Sequence, residues 1–157
     1  MFSGRIFLIG LPGAGKTTLG QRIANKLGIT FYDLDFKISQ VEESSIAEIF
    51  EQKGEEHFRG LEKKYLEEII EENQNFVLST GGGTPCFFDN METMNLRGVT
   101  VYINTPIEVI EGRIKNDTTR PLMKKLSLSE LKSKREEWYN QAQHTISDYV
   151  ELEKLFF

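Results

Sequence analysis

Short apolar runs alternate with longer amphipathic stretches along this chain. Arg5 to Ile9 is a β-rich apolar run that ends at Gly10. Beyond the glycine-rich segment that follows, Leu19, Ile23, Ala24 and Leu27 recur at helical spacing, and Gly28 stands where it can cap the helix end. Ile29 to Tyr32 reads as a second strand running into Asp33-Leu34-Asp35. Helices are predicted over about 36–41, over 45–52 with Ser45 as its cap, and over 55–72. In the last of these, Leu61, Tyr65, Leu66, Ile69 and Ile70 share the inward face, while Glu67, Glu68, Glu71 and Glu72 lie on the wet one. Phe76 to Ser79 is a third strand that runs into Gly81-Gly82-Gly83, and 89–96 a short helix. Val99 to Ile103 is a fourth strand, and Pro106 opens a helix to 114, because proline's missing N–H costs nothing at a first helical position. Residues 115–119 are polar and read as a mobile loop. The pattern then predicts a helix over 127–141, a weak fifth strand over 144–147 and a terminal helix over 152–157.

Strands alternating with helices imply parallel pairing through right-handed crossovers. The expected fold is a three-layer α/β/α sandwich around a mostly parallel five-stranded sheet. In such folds ligands gather at the carboxyl ends of the strands, so Gly10 to Thr17, Asp33 to Asp35 and Thr80 to Gly83 should line one crevice. No repeat or linker interrupts the chain, and 1–157 reads as a single domain.

Composition narrows the function classes. With 39% hydrophobic and 27% charged residues the balance is that of an ordinary globular domain, and the net charge of −5 argues against a nucleic-acid binder. A single cysteine, Cys86, excludes a disulfide framework and has no base beside it in sequence, so it reads as a spectator. No apolar run approaches the ~20 residues that span a bilayer and no signal peptide opens the chain, so no membrane partner is expected and the cytoplasm is the expected location. His57 and His144 share no metal-ligand spacing. Trp138 and the pair Phe87-Phe88 read as packing residues.

The chemistry concentrates in Gly10-Leu11-Pro12-Gly13-Ala14-Gly15-Lys16-Thr17, which is the phosphate-binding pattern G-x-x-x-x-G-K-[ST] between a strand and a helix. The glycines let successive N–H groups curl around an anion, and the helix start adds its positive dipole end. Lys16 supplies a charge for the β- and γ-phosphates, and Thr17 a hydroxyl for Mg²⁺. The segment Gly13, Ala14, Gly15, Lys16, Thr17 and Thr18 is the expected ATP contact. The third and fourth strands end without a carboxylate, and no Asn-Lys-x-Asp guanine-reading motif occurs. Asp33 is thus the candidate for the metal's outer shell, through water, and Asp35 for accepting a hydrogen bond from a substrate hydroxyl; both could instead be turn or helix-cap residues.

Further segments join the phosphate loop in a recognisable series. They are Phe-Tyr-Asp-Leu-Asp at 31–35, Gly-Glu-Glu-His-Phe-Arg at 54–59, Gly-Gly-Gly at 81–83 and Thr-Arg-Pro-Leu at 119–122. In this order and approximate spacing, from about Ile6 to Tyr139, the chain resembles the shikimate kinases. The resemblance implies phosphoryl transfer from MgATP to the 3-hydroxyl of shikimate in a P-loop fold with a lid over about 113–124 and substrate-binding helices over about 34–60. It implies that Asp35 binds the ring hydroxyls and helps deprotonate the attacking one. Arg59 and Arg135 then hold the substrate carboxylate, with Lys134 the alternative to Arg135, and Gly81, Gly82 and Gly83 give close backbone contact to the ring. Arg120 matches the lid arginine over the phosphates, Arg113 the arginine near adenine, and the family likeness suggests a monomer. The chain departs from the pattern at Glu137, where the family usually has proline. It departs again at Asp148-Tyr149-Val150, which lacks the polar or basic residue and proline often found against adenine. A related kinase for gluconate or a nucleoside monophosphate, and a non-catalytic nucleotide-binding module, are the rival readings.

Overall fold

The computed structural model describes residues 3–114 and 127–157. Its sheet has the order β2-β3-β1-β4-β5, with β1 (Arg5–Ile9) at the centre, β2 (Thr30–Asp33) and β3 (Phe76–Ser79) on one side, and β4 (Val99–Ile103) and β5 (His144–Ile146) on the other. Every neighbouring pair is parallel, so the expected mostly parallel sheet is wholly parallel. A central parallel strand is covered on both faces. Ile6 to Ile9 are accordingly fully buried, and the register sets Phe7 between Leu78 and Thr100.

Helices cover both faces of the sheet. They are α1 (Lys16–Leu27), α2 (Leu34–Glu42), α3 (Ile46–Glu72), α4 (Asn90–Arg97), α5 (Ile107–Ile114), α6 (Leu128–Tyr139) and α7 (Tyr149–Phe156). Gly28 ends α1 in the left-handed conformation, its N–H turned back to the carbonyls of Ala24 and Asn25. Leu61, Tyr65, Leu66, Ile69 and Ile70 of α3 are all buried, each contributing ~1.5–3 kcal/mol if fully withdrawn from water. Phe7, Phe76 and Tyr32 form an edge-to-face chain across three strands, with centroid separations of 5.6 and 5.8 Å.

Several boundaries differ from the sequence reading for local reasons. Strand β2 runs through Asp33, whose Oδ1 then accepts from Phe36 N at 3.1 Å, so α2 opens at Leu34 and not at Phe36. The helices expected over 45–52 and 55–72 join into α3, broken only by the non-helical backbone of Gly54 (φ 85°, ψ 168°). Ser45 opens it through a reciprocal capping box with Glu48. Pro106 precedes α5 and caps it: its carbonyl accepts from Val109 N and Ile110 N. Helix α7 opens at Tyr149 and not at Leu152, because Asp148 Oδ1 accepts from Glu151 N at 2.9 Å. A single 3₁₀ turn at Thr84–Cys86, invisible in the apolar pattern, follows the glycine run. Phe88 does not pack as expected: it is 61% exposed, on a backbone with φ 53°. The segment read as a mobile loop, 115–119, and most of the expected lid lie outside the described residues.

Candidate functional site

The phosphate loop leaves the buried end of β1 and is shaped by its own backbone. Gly13 and Gly15 adopt φ of 83° and 102°, a region closed to most side-chain-bearing residues. Thr105, just beyond β4, pins the loop from outside by donating to Ala14 O at 2.7 Å. No side chain caps the start of α1 at Gly15, which leaves the first turn's amides directed at whatever anion enters. Lys16 is buried, and its ammonium donates to the carbonyls of Gly10 (2.6 Å) and Leu11 (2.9 Å), which fixes the cation over the loop.

Beside Lys16, three oxygen-bearing side chains converge from three elements. Thr17 Oγ1 donates to Asp33 Oδ2 at 2.9 Å and lies 3.4 Å from Ser79 Oγ. The Thr17 hydroxyl at the start of α1, with the Asp33 carboxylate and the Ser79 hydroxyl at the carboxyl ends of neighbouring strands, forms a hard-oxygen set of the kind Mg²⁺ takes. Ser79 carries no carboxylate, the group that marks a metal site at a strand end, so its place here is not visible in the sequence.

Charged side chains make up another part of the lining. Asp35, in the first turn of α2, lines the crevice. Arg59, on α3, is 3% exposed; its Nη1 donates to Glu62 Oε1 at 2.8 Å, and its Nε and Nη2 reach Glu55 Oε1 at 3.4 Å. Glu62 is fully buried, and its second oxygen accepts from Thr84 Oγ1 at 2.6 Å. A buried carboxylate is tolerated when its charge is paired and both oxygens are hydrogen-bonded. Arg135, on α6, is 7% exposed, and its Nη1 is buried with no hydrogen-bond partner among the described residues. The neighbouring Lys134 is exposed, so α6 directs the arginine and not the lysine into the crevice.

The glycine run exists to make room for these heads. A side-chain carbon on Gly82 would fall 2.7 Å from Arg135 Nη1, one on Gly83 would fall 2.6 Å from Arg59 Nη1, and one on Gly81 would fall 2.8 Å from Glu62 Oε2. Tyr139 holds the run in place, donating to Gly82 O at 2.5 Å. Burial raises its phenol pKa well above the ordinary value, against the opposing pull of Arg135. Cys86 stands near both arginines, yet burial dominates and pushes its thiol up to about 11.

These pieces line one crevice of about 790 Å³. It takes in the loop from Gly13 to Thr18, Asp33 and Asp35, Arg59, Gly81 to Gly83, Arg113 and Arg135. Arg113 donates to Gly13 O at 3.0 Å, which places its guanidinium on the phosphate loop. Arg120 lies outside the described residues. At the far end Ser147, Asp148 and Tyr149 complete the lining, with the Arg22 guanidinium 3.7 Å from the Tyr149 ring centre. Glu62, Thr84 and Tyr139 carry the site and were not read from sequence. Glu62 had a signal: it interrupts the apolar stripe of Phe58, Leu61, Tyr65 and Leu66 at an inward position.

The family profile for shikimate kinase matches residues 12–155. A shikimate kinase of Azobacteroides pseudotrichonymphae is 51% identical over 146 residues, covering 88% of this chain and 86% of the relative. One of Parabacteroides distasonis is 42% identical over 149 residues, covering 90% of this chain and 86% of the relative. Among solved structures, the Bacteroides thetaiotaomicron shikimate kinase superposes with a TM-score of 0.90 at 37% identity, over 98% of each chain. The Acinetobacter baumannii enzyme in complex with shikimate also gives 0.90, at 34% identity, over 97% of this chain and 92% of that one.

Proposed function

The chain belongs to the shikimate kinase family, and we propose that it transfers the γ-phosphoryl group of ATP to the 3-hydroxyl of shikimate, giving shikimate 3-phosphate and ADP. The observation that carries this reading is the pair of buried guanidiniums set against successive glycines, Arg135 at Gly82 and Arg59 at Gly83. Arg59 uses one N–H on each of its nitrogens within the described residues, so one donor remains on each terminal nitrogen. Arg135 Nη1 is buried without a partner. An acceptor carrying a carboxylate satisfies these donors bidentately, which a neutral polyol cannot do.

With the carboxylate held between Arg59 and Arg135, a small ring lies against Gly81 to Gly83, and its hydroxyls come within reach of Asp35. Asp35 then orients the attacking hydroxyl and accepts its proton as the bond to phosphorus forms. Lys16, already fixed over the loop, balances the charge that accumulates on the transferring group, together with the loop amides from Gly13 to Thr18. Arg120 is the proposed lid arginine over the same phosphates, and Arg113 the arginine between the loop and the nucleoside. Thr17 would hold Mg²⁺ directly, with Asp33 through water and Ser79 beside them. When bound, the ion neutralises charge on the β- and γ-oxygens. The domain is read as 1–157, with acceptor helices over about 34–60, a lid over about 113–124, a monomeric state and a cytoplasmic setting. No helix among the described residues is long and apolar enough to cross a membrane.

The test is ADP release with MgATP and, in turn, shikimate, gluconate or AMP. A strong rate with shikimate alone is the expected result. Turnover with another acceptor only would keep the phosphate loop and discard the acceptor assignment. Tight shikimate binding without turnover would favour a non-catalytic module.

A further inference from the structure

Three aromatic rings surround the Arg59 guanidinium: Phe87 at 4.3 Å from its central carbon to the ring centre, Phe58 at 5.3 Å and Phe50 at 5.8 Å. Phe50 and Phe58 line the crevice, whereas Phe87, the nearest, stands outside its lining. Phe87 thus contacts the cation without taking a place in the crevice wall, which leaves the crevice-lining part of Arg59 to a ligand.

Its backbone is held on both sides. Upstream, Thr84 donates to Glu62, and the Thr84 carbonyl accepts from the buried Asn90 side chain at 3.0 Å. Phe87's own carbonyl accepts from Asn90 N at 3.3 Å. Downstream, Asp89 is tied to Lys63 of α3 at 2.6 Å. The ring is thus delivered to Arg59 by a segment anchored to the same helix that carries the arginine.

We propose that Phe87 is a positioning residue for acceptor binding, its ring keeping the Arg59 guanidinium oriented and shielded from water so that the remaining donors meet the acceptor's carboxylate. This rests on the reading of Arg59 as a carboxylate ligand. The physical basis is the attraction of a cation to a ring face within about 6 Å, stronger where water is excluded, together with a guanidinium's preference for stacking on aromatic planes. Glu55 and Glu62 hold the guanidinium through its N–H groups, and neither supplies a face for its plane to rest against.

The test compares Phe87→Leu, Phe87→Met and Phe87→Tyr with the unsubstituted protein by steady-state kinetics in both substrates, with thermal unfolding as the fold check. Leu and Met should raise the KM for shikimate about 3- to 30-fold, matching the usual strength of such contacts. The KM for ATP and kcat should stay within about twofold, and Tyr, which keeps the ring face, should restore the shikimate KM. With an acceptor whose carboxylate is replaced by a carboxamide, the Leu and Tyr variants should be indistinguishable. An unchanged shikimate KM in whichever of Leu or Met folds would overturn the proposal. So would a parallel rise in the KM for ATP, or failure of Tyr to restore. No turnover with shikimate in the unsubstituted protein would overturn the acceptor reading along with it, whereas turnover with a KM indifferent to Phe87 would overturn the positioning role alone.

Discussion

At the phosphate end of the crevice, most of the groups proposed to meet an anion come from the stretch Gly10 to Thr18 and are main chain, with Lys16, Arg113 and Arg120 added to them. At the acceptor end they are side chains from well-separated elements, Asp35 on α2, Arg59 and Glu62 on α3 and Arg135 on α6, brought together over Gly81 to Gly83. The first is a short glycine-rich segment held from outside by Thr105 on Ala14 O and by Arg113 on Gly13 O. The second depends on packing: Arg59 pairs with Glu62 three residues on along α3, but Thr84 satisfies the second oxygen of Glu62 from the turn after the glycine run, and Arg135 reaches that run from α6. Binding a phosphate chain that many enzymes share needs no variable side chains. Choosing one hydroxy acid among many does.

The largest test of this contrast is Asp35→Asn. Turnover with shikimate should fall by about two to four orders of magnitude, the usual weight of a positioned acid–base group, while ATP binding followed by calorimetry stays close to normal. Near-normal turnover would remove Asp35 from that role. It would also leave the acceptor end with no group to receive the proton.

Next in size is Glu62→Ala, which removes the carboxylate that pairs Arg59 and accepts from Thr84. Breaking a fully buried pair by deleting one partner typically costs ~3–5 kcal/mol, so the denaturation midpoint should drop sharply. The shikimate KM should rise, because Arg59 loses its anchor, and the KM for ATP should move far less. A stability loss under ~1 kcal/mol would mean that the acceptor end is not held by this ion pair.

The smallest effect expected is at Cys86. Burial lifts its thiol from an ordinary value of 9.0 to about 11, even though Arg135 and Arg59 both pull it down. The folded protein therefore keeps the thiol protonated over a range where the unfolded chain ionises. Any stability that this group contributes is intact below about pH 9 and is lost as the pH rises towards about 11. Because the thiolate is the reactive form, alkylation of the folded protein at pH 8 should run about ten- to a hundredfold slower than that of the denatured chain. Equal rates would show that the turn at Thr84–Cys86 opens readily and does not brace the arginines.

Much of this was legible in the chain itself. The boundaries of β1, β3 and β4, the inward face of α3 and the caps at Gly28 and Ser45 follow from period and capping chemistry, which act within a turn or two. The loop from Gly10 to Thr17 was legible for the same reason: its function lies in local backbone freedom and in two adjacent side chains. Asp35 stood out as an acid just beyond the carboxyl end of β2, and the family resemblance then pointed to Arg59 and Arg135, positions that no local rule singles out.

Tertiary structure decided what depends on several elements at once. Whether Arg135 or Lys134 faces the crevice follows from how α6 lies against the glycine run, and the buried residue there is Arg135. Thr84 looks in sequence like one more turn hydroxyl, and Glu62, though its inward place on α3 is readable, shows no partner for its second oxygen until the fold brings the two together. Phe87 and Phe88, alike in sequence, part company because one ring reaches a guanidinium while the other is turned outward at a left-handed residue. Local patterns fix strands, helices and the phosphate loop because their interactions reach only a few residues along the chain. Arg59 and Glu62 share a helix face by spacing alone, but Thr84, Arg135 and the glycine run join them only through the packing of separate elements far apart in sequence.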